Sequence, residues 1–192
     1  MMLCAAKKPF TLFLYDIVEE GSGWNSDYFV AKKEFIKEYK NPLWNLPFCI
    51  DRAEKMAIVQ TNAVFARIAR SCGFMGDNEK SASECEELLC ELMDLRNVMV
   101  GFAYGGPVSA NDGEAAKTVL ASGMKHLKKL EAWLEIQASD IHLVEGKMNA
   151  PDFHLYEMLD QFEGFCDFYK LGDLFDDLPR LKAFKEGFAN LP

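Results

Sequence analysis

Hydrophobic positions follow two rhythms along this chain, and the change falls in the glycine-containing stretch Cys72–Asp77. From about Asn78 onward, apolar residues recur at three-and-four spacing, the period of a helix with one buried face. Cys85, Leu88, Leu89, Leu92, Leu95, Val98 and Met99 predict a helix from Ser81 to about Tyr104, broken by Gly105-Gly106-Pro107. Leu120, Met124, Leu127, Leu130 and Trp133/Leu134 predict a second over Glu114 to Ile136. A third begins at Pro151 and a fourth spans Arg180 to Ala189. Before the change the pattern is mixed. Thr11–Val18 is an apolar run of β type, ended by Glu-Glu-Gly-Ser-Gly. Asp27 to Tyr39 reads as a helix closed by Asn41-Pro42. Cys49–Asp51 and Met56–Val59 are short strands around a charged turn, and Thr61 or Asn62 caps a helix that runs to about Ser71. The pattern therefore predicts an α+β unit over 1–72 and an all-α unit over 78–192.

Composition narrows the class. At 192 residues and 49% hydrophobic content the chain can bury one large core or two smaller ones. It contains no apolar run of roughly 18 residues, so no membrane span is expected. Lys7 and Lys8 follow the apolar start instead of preceding it, the wrong order for a signal peptide. Residues 1–70 hold ten Lys/Arg against eight Asp/Glu, a net of +2, and the remainder holds eleven against twenty-two, a net of −11. An acidic second half argues against nucleic acid as a partner, because phosphates would be repelled. The six cysteines lack metal-type spacing and suit free thiols in a reducing cytoplasm. The three histidines are scattered, and no metal site is expected.

The richest stretch is Asn45–Arg70, NLPFCIDRAEKMAIVQTNAVFARIAR. It joins an extended Asn-Leu-Pro-Phe, a hairpin, and Gln60-Thr61-Asn62-Ala63 opening an apolar helix. A helix that starts directly after a strand aims its terminal N–H groups at whatever lies there, which favours a carboxylate. This combination resembles the glutathione-binding half of the cytosolic glutathione transferases, most like the Mu and Sigma groups. Two later segments carry the same resemblance. Met148-Asn149-Ala150-Pro151-Asp152-Phe153 is similar to the family's capping box in its central helix, and Leu178-Pro179-Arg180-Leu181-Lys182-Ala183-Phe184 to its Pro-x-Leu-x-x-Phe helix. The resemblance implies a thioredoxin-like N-terminal domain, truncated at its start, followed by an all-helical C-terminal domain.

Site roles follow from the resemblance residue by residue. Asn45 and Leu46 would present peptide groups to the cysteinyl part of glutathione, with Pro47 as the family's cis-proline. Gln60 and Thr61 would hold the γ-glutamyl end, Asp94 would reach the γ-glutamyl amine of a neighbouring subunit, and Lys40 and Trp44 would face the glycine carboxylate. Tyr104 would line the pocket for a small hydrophobic electrophile. The catalytic hydroxyl has two readings. In one, residues 2–10 end the first helix and the strand with the catalytic Tyr or Ser is missing; in the other, Leu14-Tyr15-Asp16-Ile17 is that strand and Tyr15 falls one residue off the catalytic position. The implied reaction is attack of the glutathione thiolate on an electrophile, with glutathione as co-substrate, in a homodimer serving detoxification. The alternative is a member that keeps the fold for binding or scaffolding without turnover.

Overall fold

Asn45 to Cys72 builds the first unit around a hairpin and a helix, and the computed structural model describes this segment within residues 1–21, 23–104, 113–137 and 139–191. The elements are α1 (Met2–Ala5), β1 (Val18–Glu20), β2 (Gly23–Asn25), α2 (Tyr28–Tyr39), β3 (Phe48–Asp51), β4 (Met56–Val59) and α3 (Thr61–Cys72). Four helices follow: α4 (Glu79–Tyr104), α5 (Gly113–Ile136), α6 (Ala150–Tyr169) and α7 (Pro179–Ala189). Contacts divide the chain into Leu3–Cys72 and a second unit of Gly73–Pro192 with Met1–Met2. The expected helix break at Gly105-Gly106-Pro107 lies outside the described residues.

In the first unit, β3 and β4 pair antiparallel from Phe48↔Val59 to Asp51↔Met56. Because successive side chains alternate across a strand, Phe48, Ile50, Ala57 and Val59 share one face. That face packs against Tyr28, Phe35, Ile36, Tyr39 and Trp44, an aromatic cluster centred on α2. Asp51, on the opposite face, pairs with Arg67 of α3 and accepts the N–H groups of Ala53 (3.0 Å) and Glu54 (3.1 Å), which closes the hairpin turn. α3 packs on both strands, burying Val64 and Ala69.

One predicted strand is corrected. Thr11–Ile17 joins no ladder, and only Val18–Glu20 pairs, with Gly23–Asn25. The alternation of a strand survives in the side chains: Phe13 meets the rings of Phe35 (6.4 Å) and Phe48 (5.8 Å), and Tyr15 meets Tyr28 (5.4 Å). Leu12 and Leu14 point the other way and are 67% and 80% exposed. β-propensity is local, whereas a ladder also needs an edge at hydrogen-bonding distance, and among the described residues none pairs with this segment.

The second unit is helical throughout its named elements. α4 packs on α5 and α6, and α7 on both of those. Leu88, Leu92, Leu95, Leu127, Leu130, Leu134, Leu155, Met158 and Phe162 are all buried. α6 is the central element, and its N-terminus is secured by the expected capping box. The Asp152 carboxylate accepts the Asn149 N–H and the Leu143 N–H, each at 2.8 Å, while Asn149 Oδ1 accepts the Gly76 N–H at 2.9 Å. Gly76 is required there. It has φ +76°, and a Cβ would lie 2.6 Å from the Ser81 backbone carbon.

Candidate functional site

The ladder of β3 and β4 decides which parts of Asn45–Arg70 meet. Its first pair is Phe48↔Val59, so Leu46–Pro47 and Gln60–Thr61 are the next residues beyond the same end of the hairpin. The Leu46–Pro47 peptide is cis. Gln60 has φ +77°, which turns the chain from strand into helix, and its carbonyl accepts the first helical N–H, that of Val64 (2.9 Å). Gln60 thus holds the position of the N-terminal cap, one residue earlier than the pattern suggested. Asn45, Leu46, Pro47 and Gln60 are exposed and Thr61 is half-buried, so backbone and side chains of both segments reach solvent beside the positive end of α3. Such a corner can hydrogen-bond an extended peptide through Leu46 and a terminal carboxylate through Gln60 and Thr61.

Other expected residues lie elsewhere. Trp44 is 1% exposed and stacked against both Phe35 (4.8 Å, 16°) and Tyr39 (5.6 Å, 25°), with its indole N–H buried and without a hydrogen-bond partner among the described residues. Its ring therefore belongs to the aromatic cluster. Lys40 is exposed in a left-handed conformation (φ 51°, ψ 36°) at the end of α2, and it lines a cavity with Ile50, Arg52 and Lys55. Those residues belong to the turn end of the hairpin, opposite Leu46 and Gln60. Tyr15 is held by the rings of Tyr28 and Phe48, and burial pushes its phenol above the ordinary range. Burial likewise pushes the Cys49 thiol up, with Asp51 adding to the shift, so this cysteine is no ready nucleophile.

In the helical unit, Asp94 is exposed on α4 beside a 360 Å³ cavity that Glu91, Lys129 and Trp133 also line. Burial pushes the Glu91 carboxyl up, but bonds from Lys129 (2.9 Å) and His126 (2.7 Å) outweigh it and leave the group below its ordinary value. Tyr104 is 86% exposed at the end of α4. The cations Arg52 and Lys55 were not singled out by the sequence pattern, since a charged hairpin turn has no signature beyond solvation. The Asp51–Arg67 pair was also invisible, because sixteen residues separate its partners.

Comparison with known proteins now assigns the class. The family model described as "Glutathione S-transferase, C-terminal domain" matches residues 93–192, just over half of the chain, and the chain belongs to the glutathione S-transferase family. It is 29% identical over 171 residues to glutathione S-transferase Mu 1 of Oryctolagus cuniculus, an alignment covering 89% of this chain and 68% of that protein. With the class-mu 26 kDa isozyme 7 of Fasciola hepatica it shares 27% identity over 151 residues, 77% of this chain and 62% of the relative. The chain thus spans about two thirds of the length of these curated relatives. Among solved structures, the Pi-class glutathione S-transferase of Onchocerca volvulus superposes with a TM-score of 0.64 at 22% identity, covering 83% of this chain and 72% of that one. The fold is accordingly a thioredoxin-like unit followed by the family's all-helical unit.

Proposed function

We propose that this chain binds glutathione at the corner formed by Asn45–Pro47 and Gln60–Thr61 and presents its thiol to small hydrophobic electrophiles. The observation that carries the reading is the register Phe48↔Val59, which sets an exposed peptide segment beside a helix N-terminus. Glutathione needs both, since it is an extended peptide ending in carboxylates. Leu46 backbone groups pair with the cysteinyl residue, and the Gln60 amide and Thr61 hydroxyl receive the γ-glutamyl carboxylate. Asp94 and Tyr104 extend the reading to the neighbouring subunit's ligand and to the electrophile pocket. Trp44 and Lys40 fit it less well, because one ring is buried and the other side chain lines the far end of the hairpin.

A second reading is favoured by one observation. The Tyr15 ring is committed to Tyr28 and Phe48, and the preceding residue is the exposed Leu14, which carries no hydroxyl. A thiol with pKa near about 8.5 is only partly ionised at neutral pH, and a hydroxyl donor lowers that value. Without one, glutathione is bound but turned over slowly. The test is calorimetric titration of glutathione into wild type and Gln60→Ala/Thr61→Ala, beside an aryl-halide conjugation assay. Hydrogen bonds to a charged group are worth about 1.5–3 kcal/mol each, so the double variant should lose roughly a hundredfold or more in affinity with little change in melting temperature. Unchanged affinity with a lowered melting temperature would reduce the segment to a helix cap. Tight binding without conjugation selects the second reading.

A further inference from the structure

Residues 10–16 have the alternation of a strand but no ladder. Among the described residues, none of their backbone N–H or C=O groups takes part in a hydrogen bond. Phe13 and Tyr15 fix one face of the segment against the rings of Phe35 and Tyr28, which leaves Phe10, Leu12 and Leu14 exposed on the other. The run continues into β1, which pairs with β2 alone among the described residues, and every residue of both strands is exposed. A two-stranded hairpin is marginal by itself, and an unpaired extended edge is a template for another strand. Charge selects that strand. Lys7 and Lys8 open the run and Asp16, Glu19 and Glu20 close it, all of them exposed. Lys8 donates to the Ser71 carbonyl and Glu20 accepts from the Asn25 amide at 2.7 Å, both neutral partners. Among the described residues, Lys7, Lys8, Glu19 and Glu20 join no ion pair.

We propose that residues 7–20 are an interface for a second copy of this chain, paired antiparallel edge to edge across a two-fold axis at Leu14. Laid antiparallel on itself, the run sets its basic end on its acidic end. Laid parallel, it sets like charge on like. Antiparallel pairing is also what a two-fold axis between identical strands generates. Residues directly opposite each other share a face of the sheet. An axis at Leu14 therefore places Leu14 beside its own copy, Phe10 opposite Val18, Leu12 opposite Asp16 and Lys8 opposite Glu20. Apolar side chains meet in the middle and opposite charges close the two ends. The contact joins like segments, so it is distinct from packing of the basic first unit on the acidic second. It does not depend on whether glutathione binds at Leu46 and Gln60.

The test is amide hydrogen exchange of the full chain by mass spectrometry, read in the peptide covering residues 10–18 as protein concentration rises. Wild-type exchange there should slow by about tenfold or more between low and high micromolar concentration, because the pair forms only between copies. Glu19→Lys/Glu20→Lys and Lys7→Glu/Lys8→Glu each set like charge on like, and each alone should lose this protection. An equimolar mixture of the two variants restores opposite charges at both ends and should restore the protection. Packing of unlike halves predicts the reverse for the first variant, since added positive charge in the first unit would strengthen its attraction to the acidic remainder. If either charge variant fails to fold by circular dichroism, Leu14→Arg, which sets two cations together at the axis, carries the comparison and should abolish the protection. Protection that does not depend on concentration, that survives in the folded variants, or that the mixture fails to restore overturns the proposal.

Discussion

His154 shows how much a single buried side chain can set. It is 1% exposed on α6, and burial, reinforced by Arg96, pulls its imidazole down to about 4 from an ordinary 6.5. Between those values the unfolded chain takes up a proton that the folded chain refuses, so stability falls as pH drops from about 6.5 towards 4. Wild type should therefore lose about 2 kcal/mol more than His154→Gln between pH 7 and pH 5, read by urea unfolding of both. Parallel losses would show that the imidazole takes its proton in the fold. Asp152 works through hydrogen bonds instead. Its removal in Asp152→Ala leaves the buried Asn149 and Leu143 N–H groups without acceptors, at a cost of about 2–5 kcal/mol in the same assay. A loss under 1 kcal/mol would mean that water replaces the carboxylate. The bond to Asn149 was legible in the sequence because capping residues sit three apart. Those reaching Leu143 and Gly76 were not, because they depend on how separate segments fold back on α6.

At the scale of elements, α7 begins with a device borrowed from another helix. The Arg180 and Leu181 N–H groups donate to the two oxygens of Glu131 on α5, at 2.7 and 2.8 Å, where α7 has no side-chain cap of its own. A carboxylate at a helix N-terminus gains from both the hydrogen bonds and the dipole. Glu131→Ala should destabilise the protein by about 2–4 kcal/mol and accelerate amide exchange first in α7. Uniform acceleration across α4 to α7 would instead mark Glu131 as a general core residue. The long helices were readable from sequence because their periodicity repeats over several turns, as with Leu88, Leu92 and Leu95. Thr11–Val18 misled for the opposite reason. Alternation there turns Phe13 and Tyr15 towards the rings of Phe35 and Tyr28, yet pairing requires a second strand that no local pattern announces.

For the whole molecule, the charge difference between the first seventy residues (+2) and the remainder (−11) favours association of unlike halves, and we expect a homodimer. Sedimentation at micromolar concentration should give twice the chain mass of 21.7 kDa, with the dimer weakened by added salt. A monomer at low salt would remove the charge argument. The adjacency of the candidate corner's two segments was legible because Leu-Pro and Gln-Thr-Asn-Ala flank one hairpin; the side-chain direction of Trp44 was not, since only packing decides it. That direction has an optical consequence. Trp44 is sealed among aromatic rings with no hydrogen-bonding partner among the described residues, Trp24 is 68% exposed, and the Trp133 N–H is bonded to the Leu143 carbonyl at 2.8 Å. The three indoles occupy three different dielectric settings, so the blue component of the fluorescence and the near-ultraviolet dichroism of the ring stack belong to the first unit. Loss of that signal ahead of the Trp133 signal would report unfolding of the first unit while the helices persist, so the two halves carry separate built-in thermometers.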